Sequence, residues 1–278
     1  MSICYYNGKY MPTEECSLPV SDLAIQRGVG AFESIRIYGG RPFAMTQHLE
    51  RLATSTAESC IEAAEIIRSL PAIIREGIKQ DGCPRDGIVK PYVTGGDVNN
   101  KGHFPEPRLF VLFEDAHKPT DEERKKGVAL EPNRVERAYP IIKGTNYLQG
   151  FIPLTKTDKE NFEALYITRE GEITESTSST FFLCLNGRLV TAPVGRVLRG
   201  ITREILITLA KEAGYKIEER CPLESELKDA QEAFLTGSVK EVLSIVRVGE
   251  QIIGNGKPGP VAQHLQHLFT ANKSRWME

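Results

Sequence analysis

The sequence contains no run of about 18 apolar residues of the kind that crosses a bilayer as a helix, and no Cys-x-x-Cys pair. It also lacks any block of basic residues, and its start, MSICYYNGKY, does not show the basic-then-apolar order of a signal peptide. These absences lead to the expectation of a cytoplasmic chain with no membrane partner. The formal net charge is −2 with both signs interspersed, so no positive field exists to displace counterions from a polyanion, and nucleic acid is not expected as a partner. Cys4, Cys16, Cys60, Cys83, Cys184 and Cys221 are scattered with no histidine at a metal spacing. Reduced thiols and no metal site are the expectation. Two nucleotide signatures are missing as well. Gly28-Val29-Gly30 lacks the strand, third glycine and helix of a dinucleotide fingerprint, and Gly195 to Gly200 is not followed by Lys-Ser or Lys-Thr.

What is present is a chain of 278 residues, 40% hydrophobic and 26% charged, enough for one large domain or two modest ones. Cys4-Tyr5-Tyr6, the tight-turn pair Asn7-Gly8 and Lys9-Tyr10-Met11 read as a hairpin. Alternation over Phe32 to Tyr38, stopped by Gly39-Gly40 before Arg41-Pro42-Phe43, reads as another. From Thr46 to about Gln80 the apolar spacing fits helices, interrupted around Ser55 to Cys60 and again at Pro71. Strand-like runs Ile88 to Thr94 and Arg108 to Phe113 flank a loop, Gly95 to Pro107, that could lie over a site. Charge and proline dominate Glu114 to Lys126, the best place for a boundary. The division that follows is a small domain over 1–115, a linker over 116–127 and a larger domain over 128–278. In the latter, strands at Ala164–Ile167, Thr180–Leu185 and Arg188–Val190 and helices at Arg203–Ala213 and Val261–Ala271 make the class α+β.

The informative feature is an ordered set of segments. His48-Leu49-Glu50-Arg51-Leu52 is followed by Lys143-Gly144-Thr145-Asn146-Tyr147-Leu148, then by Ile173-Thr174-Glu175-Ser176-Thr177-Ser178-Ser179-Thr180-Phe181, Leu198-Arg199-Gly200-Ile201-Thr202-Arg203 and Phe234-Leu235-Thr236-Gly237-Ser238. Each alone is common, but the set in this order resembles the class IV aminotransferases, the fold-type IV pyridoxal-phosphate enzymes that include branched-chain aminotransferases, D-amino acid transaminases and aminodeoxychorismate lyases. The resemblance implies a small N-terminal α/β domain, a larger barrel-like C-terminal domain, pyridoxal 5'-phosphate between them, and a homodimer. Such a cofactor needs a lysine amine for its Schiff base, a carboxylate beside its pyridine nitrogen and donors around its phosphate.

By that resemblance Lys143 is the Schiff-base lysine and catalytic acid and base, and Glu175 the partner of the pyridine nitrogen. Arg51 is a phosphate ligand, and Ile201 and Thr202 offer backbone N–H groups and a hydroxyl ahead of a helix starting near Arg203. Thr202 also reads simply as a helix cap. Ser238 stands as another phosphate hydroxyl. Tyr147 stands either beside the cofactor's phenolic oxygen or in the core. The branched-chain pattern is kept at Phe32, Glu33 and Arg36, with Arg27 in place of its tyrosine. The carboxylate arginine usual in D-amino acid transaminases is missing, with Gly95-Gly96 and a later His103 in its place. Arg27, Lys90 and Lys240 remain as cations for a substrate carboxylate, a set suited to a dicarboxylate such as 2-oxoglutarate. The favoured reading is transfer between a small D-amino acid, D-alanine or D-glutamate, and a 2-oxo acid. A branched-chain L-amino acid aminotransferase is the alternative. An aminodeoxychorismate lyase and a noncatalytic pyridoxal-phosphate binder rank lower.

Overall fold

A computed structural model describes residues 2–97, 103–157 and 160–278. The chain divides into two compact units. The first comprises residues 1–117, to which the segments Ile142–Asn146 and Ser274–Glu278 return, and the second comprises Lys118–Ile141 and Tyr147–Lys273.

In the first unit the expected hairpin is β1 (Ile3–Tyr6) and β2 (Lys9–Pro12), turned by Asn7 and Gly8, both at positive φ. Then come α1 (Leu23–Arg27), β3 (Gly30–Phe32), β4 (Ile35–Tyr38), β5 (Arg41–Pro42), α2 (Met45–Glu58), α3 (Ala64–Gly77), β6 (Gly87–Thr94) and β7 (Arg108–Asp115). The sheet runs β2-β1-β7-β6-β4-β5, with β3 also on β6. Its core joins Ile35, Ile37, Val89, Val93, Val111 and Phe113 to Leu49 and Leu52 of α2 and Leu70 and Ile74 of α3.

Two expectations change here. The run Phe32 to Tyr38 is not one strand. β3 and β4 pair with β6 in one continuous register, but Pro91 in β6 has no N–H to offer, and Glu33 and Ser34 lie between the two strands. Pro71 does not break its helix: α3 runs through it, because the buried face of Leu70, Ile74 and Gly77 offsets one missing backbone bond. Of the loop Gly95 to Pro107, residues 98–102 lie outside the described residues.

The second unit begins with α4 (Asp121–Lys126), so the stretch read as a linker carries a helix. Thr120 and Glu123 form its capping box. There follow β8 (Val128–Asn133), α5 (Leu148–Thr155), β9 (Glu163–Ile167), β10 (Ile173–Ser176), β11 (Thr180–Leu185), β12 (Arg188–Thr191), α6 (Ile201–Glu212), β13 (Lys216–Glu219), β14 (Glu232–Gly237), β15 (Glu241–Val248), β16 (Gln251–Ile252) and α7 (Pro260–Asn272). The strands run β10-β9-β8-β15-β14-β11, and pairing of β10 with β11 closes the ring into a barrel. β12 and β13 extend it from β11. Alternation fills the barrel with Leu130, Leu165, Phe181, Leu183, Leu235, Leu243 and Ile245, while the neighbouring Phe182 and Phe234 stack at 5.0 Å on the other face. No described helix is long and apolar enough to cross a membrane.

Candidate active site

The residues expected to act together are distributed over both units, and each group is built by its own local structure. In the first unit Lys143 sits on the segment that returns to β3. Its carbonyl accepts the Phe32 N–H at 3.0 Å, and Thr145 N–H donates to the Gly30 carbonyl at 3.2 Å. The Lys143 N–H donates to Ser55 Oγ of α2 at 3.1 Å. These bonds fix the backbone, and the side chain is buried with Nζ 4.4 Å from the centre of the Phe32 ring.

Nearby, α2 places His48 and Arg51 three residues apart on one face. Both meet Glu33, which lies in the break between β3 and β4. Arg51 donates Nε to Glu33 Oε1 at 2.6 Å and Nη2 to Oε2 at 2.7 Å, and His48 Nδ1 lies 2.7 Å from Oε2. Burial alone would raise the Glu33 carboxyl, but Arg51 and His48 hold it well below the usual carboxylate range. Burial lowers His48, with Glu33 opposing and Arg51 and Lys143 adding to the lowering, so the ring is neutral near pH 7.

Arg27, the last residue of α1, is exposed and donates to the Gln26 carbonyl at 3.1 Å. Lys90 is committed to Glu114. His103 is exposed.

In the second unit Glu175 lies where the barrel closes, paired in register with Thr180. Its carboxylate takes Arg137 Nη1 on Oε1 at 2.8 Å and the Leu198 N–H on Oε2 at 3.3 Å. A cavity of about 420 Å³ opens beside Arg137, lined also by Pro140, Gly195 and Arg196. Tyr147, half-buried ahead of α5, has its phenol pushed up to about 12, chiefly by burial. It therefore keeps its proton across the physiological range and can donate it in a hydrogen bond. Lys240 pairs with the buried Glu163 and donates to Ser178 Oγ at 2.7 Å.

The start of α6 differs by two residues from expectation. The helix begins at Ile201, so Ile201 and Thr202 form its first turn and Gly200 is the residue before it. No side chain caps that end, and Thr202 is buried. A Cβ on Gly200 would come within 2.6 Å of Thr180 Oγ1, so only glycine lets the helix end approach β11 this closely. Thr180 is paired with Thr236 of β14, whose buried Oγ1 has no hydrogen-bond partner among the described residues. Ser238 follows in the turn after β14. Helix N–H groups, an orphaned hydroxyl and a glycine approach are the donor set and the space that a phosphate requires.

Sequence reasoning did not single out Glu33, His48, Arg137 or Glu163 as parts of these clusters. Glu33 was visible only as a match to the branched-chain pattern. Arg137 and Glu163 carry no local signal, since their partners lie far away in the chain.

The model of the family described as amino-transferase class IV matches residues 30–248. The D-alanine aminotransferase of Bacillus licheniformis is 31% identical over 266 residues, covering 94% of this chain and 93% of that protein. The putative branched-chain-amino-acid aminotransferase of Methanocaldococcus jannaschii is 28% identical over 280 residues, covering 98% and 96%. Among solved structures, the T.th. branched-chain amino acid aminotransferase with pyridoxamine 5'-phosphate superposes with a TM-score of 0.88 at 24% identity, covering 99% of this chain and 97% of that one. That likeness establishes the fold, a fold-type IV arrangement of helices and a barrel-like sheet. With the family model spanning most of the sequence, the chain belongs to the class IV aminotransferases, enzymes that depend on pyridoxal phosphate.

Proposed function

We propose that this aminotransferase moves an amino group between a small D-amino acid, D-alanine or D-glutamate, and a 2-oxo acid such as 2-oxoglutarate, and works as a homodimer. The state of the cations bears on where the substrate carboxylate is held. Lys90 and Lys240 each face a carboxylate of the protein, whereas Arg27 is exposed and, among the described residues, donates only to the Gln26 carbonyl. Arg27 is therefore read as the guanidinium that grips a substrate carboxylate in two parallel bonds, with Lys90 and Lys240 secondary. The observation that carries the choice of a D-amino acid is the similarity to a named D-alanine aminotransferase at 31% identity. The similarity to a named branched-chain relative at 28% keeps an L-specific enzyme as the second reading.

The residues present fit the cofactor. In the second unit the first turn of α6 at Ile201 and Thr202, the Thr236 hydroxyl, which has no partner among the described residues, and Ser238 would hold its phosphate; in the first unit Arg51 would be a phosphate ligand by the family resemblance. When bound, pyridoxal phosphate supplies an aldehyde that takes up the amine and a cationic ring that accepts the electron pair left when the α-proton departs. Lys143, shielded from water by burial and the Phe32 ring, would carry the aldehyde at rest and then move the proton to and from the substrate's α-carbon. Glu175, gripped by Arg137 and the Leu198 N–H, would face the ring nitrogen as a fixed negative charge. Tyr147, protonated up to about 12, would donate to the ring's phenolic oxygen.

A screen of D- and L-amino acids against 2-oxoglutarate with chiral product analysis tests the reading. Turnover of D-alanine or D-glutamate well above L-leucine is expected. The reverse order would establish the branched-chain alternative, and turnover of no amino acid would end both.

A further inference from the structure

The charged group deepest in the first unit is the one around Glu33. Glu33 is 0% exposed, His48 1% and Arg51 5%. The carboxylate receives four donors: Arg51 Nε and Nη2, the Ser34 N–H at 3.2 Å, and His48 Nδ1. Because Glu33 is ionised, the His48 Nδ1 must carry the proton and donate it. Taking an arginine, a carboxylate and an imidazole out of water contributes little net stability, since the desolvation cost largely offsets the attraction. What the arrangement does provide is direction. A fork-to-fork grip through two nitrogens holds the planar guanidinium in one rotational setting, which a single point contact cannot do. The chain builds this grip from two separate elements, α2 for the arginine and histidine and the break between β3 and β4 for the glutamate. In that break Glu33 donates its own N–H to the Pro91 carbonyl at 3.0 Å, which fixes the backbone that carries the carboxylate.

We infer that Glu33 and His48 are positioning residues that fix the guanidinium of Arg51 for the cofactor's phosphate. This rests on the reading of Arg51 as a phosphate ligand. Glu33 sets the plane of the guanidinium, and His48, donating to the same carboxylate, keeps Glu33 from rotating away.

The test compares dissociation constants of pyridoxal phosphate and of pyridoxal, which has the same aldehyde and ring but no phosphate, for the full chain by titration calorimetry. Arg51→Lys and Glu33→Gln should each weaken pyridoxal phosphate by about tenfold or more, with pyridoxal changed by less than about twofold. The double variant should bind pyridoxal phosphate no more weakly than Arg51→Lys alone, since Glu33 then has no fork to orient. His48→Asn, whose amide can stand where Nδ1 stands, should keep the ratio of the pyridoxal constant to the pyridoxal phosphate constant near wild type, while His48→Ala lowers it. If Glu33→Gln does not fold, Glu33→Asp, which keeps the charge but shortens the reach, gives the same comparison. A ratio unmoved by Glu33→Gln but lowered by Arg51→Lys would overturn the inference, as would losses that multiply in the double variant. Equal weakening of both ligands would mark a merely structural role and overturn it as well. A ratio unmoved by Arg51→Lys itself would remove the phosphate reading of Arg51, and the inference with it.

Discussion

Replacing Lys240 by Met should destabilise the protein in a way that depends on pH with a defined sign. Glu163 is buried and faces Lys240, with Ser176 and Ser178 donating hydroxyls to it. Burial alone would raise its carboxyl, but Lys240 first and then the serines bring it below the usual carboxylate range. In the wild type this glutamate therefore contributes stability that is present above its unfolded value, about 4.3, and is lost as pH falls through the lower folded value. Methionine keeps the aliphatic stem of Lys240, whose Nζ lies 5.7 Å from the Phe162 ring, but removes the charge. Burial then dominates, and the carboxyl in the folded variant moves above its unfolded value. Breaking one partner out of a buried pair costs about 3–5 kcal/mol, and the serine bonds that remain place this case near 3 at pH 8. As pH falls, protonation relieves the variant, so the loss at pH 5 should be smaller by at least about 0.5 kcal/mol. Urea unfolding of both proteins at pH 5, 6.5 and 8, followed by circular dichroism, measures the difference. A loss that does not change with pH, or one below about 1 kcal/mol throughout, would refute the reasoning and leave the serines as sufficient partners.

Leu130, fully buried in the barrel, should cost about 2–5 kcal/mol when replaced by Ala, read by the same urea titration. Glu175→Gln keeps the bond to the Leu198 N–H but removes the charge facing Arg137; kcat of the folded variant should fall by about a hundredfold or more in stopped-flow assays, while the urea midpoint also falls because a largely buried ion pair is broken. Arg27→Ala should raise KM for the oxo acid by about tenfold with little change in kcat, and an unchanged KM in steady-state assays would remove Arg27 from the substrate site.

Local signals were legible where the chain settles its structure by itself. The Asn7-Gly8 and Asn186-Gly187 turns, each with positive φ at both residues, announce their hairpins. The strand Thr180–Leu185 coincides with its apolar run, and α6 and α7 lie within two residues of their expected ends. Closure of the barrel was not legible, because β8 meets β15 in parallel, Val128 against Ile245, across more than a hundred residues that no periodicity records. The return of residues 142–146 to the first unit was hidden for the same reason: the pairing of Gly144 with Ala31 is a tertiary event. In the candidate site the sequence marked residues whose type is demanding, such as Lys143 and Glu175. It could not reveal their holders, Ser55 behind Lys143 and Arg137 on Glu175, which become neighbours only through folding. The cations were the least legible. Lys90 and Lys240 look like available charges in one dimension, and only the fold exposes the Glu114 and Glu163 that face them.

The central claim is that the cofactor is held covalently by one amine, and borohydride reduction of the holoenzyme followed by peptide mass mapping tests it most directly. A single pyridoxyl adduct on Lys143 is expected. An adduct on another lysine, or none on any peptide, would contradict the account.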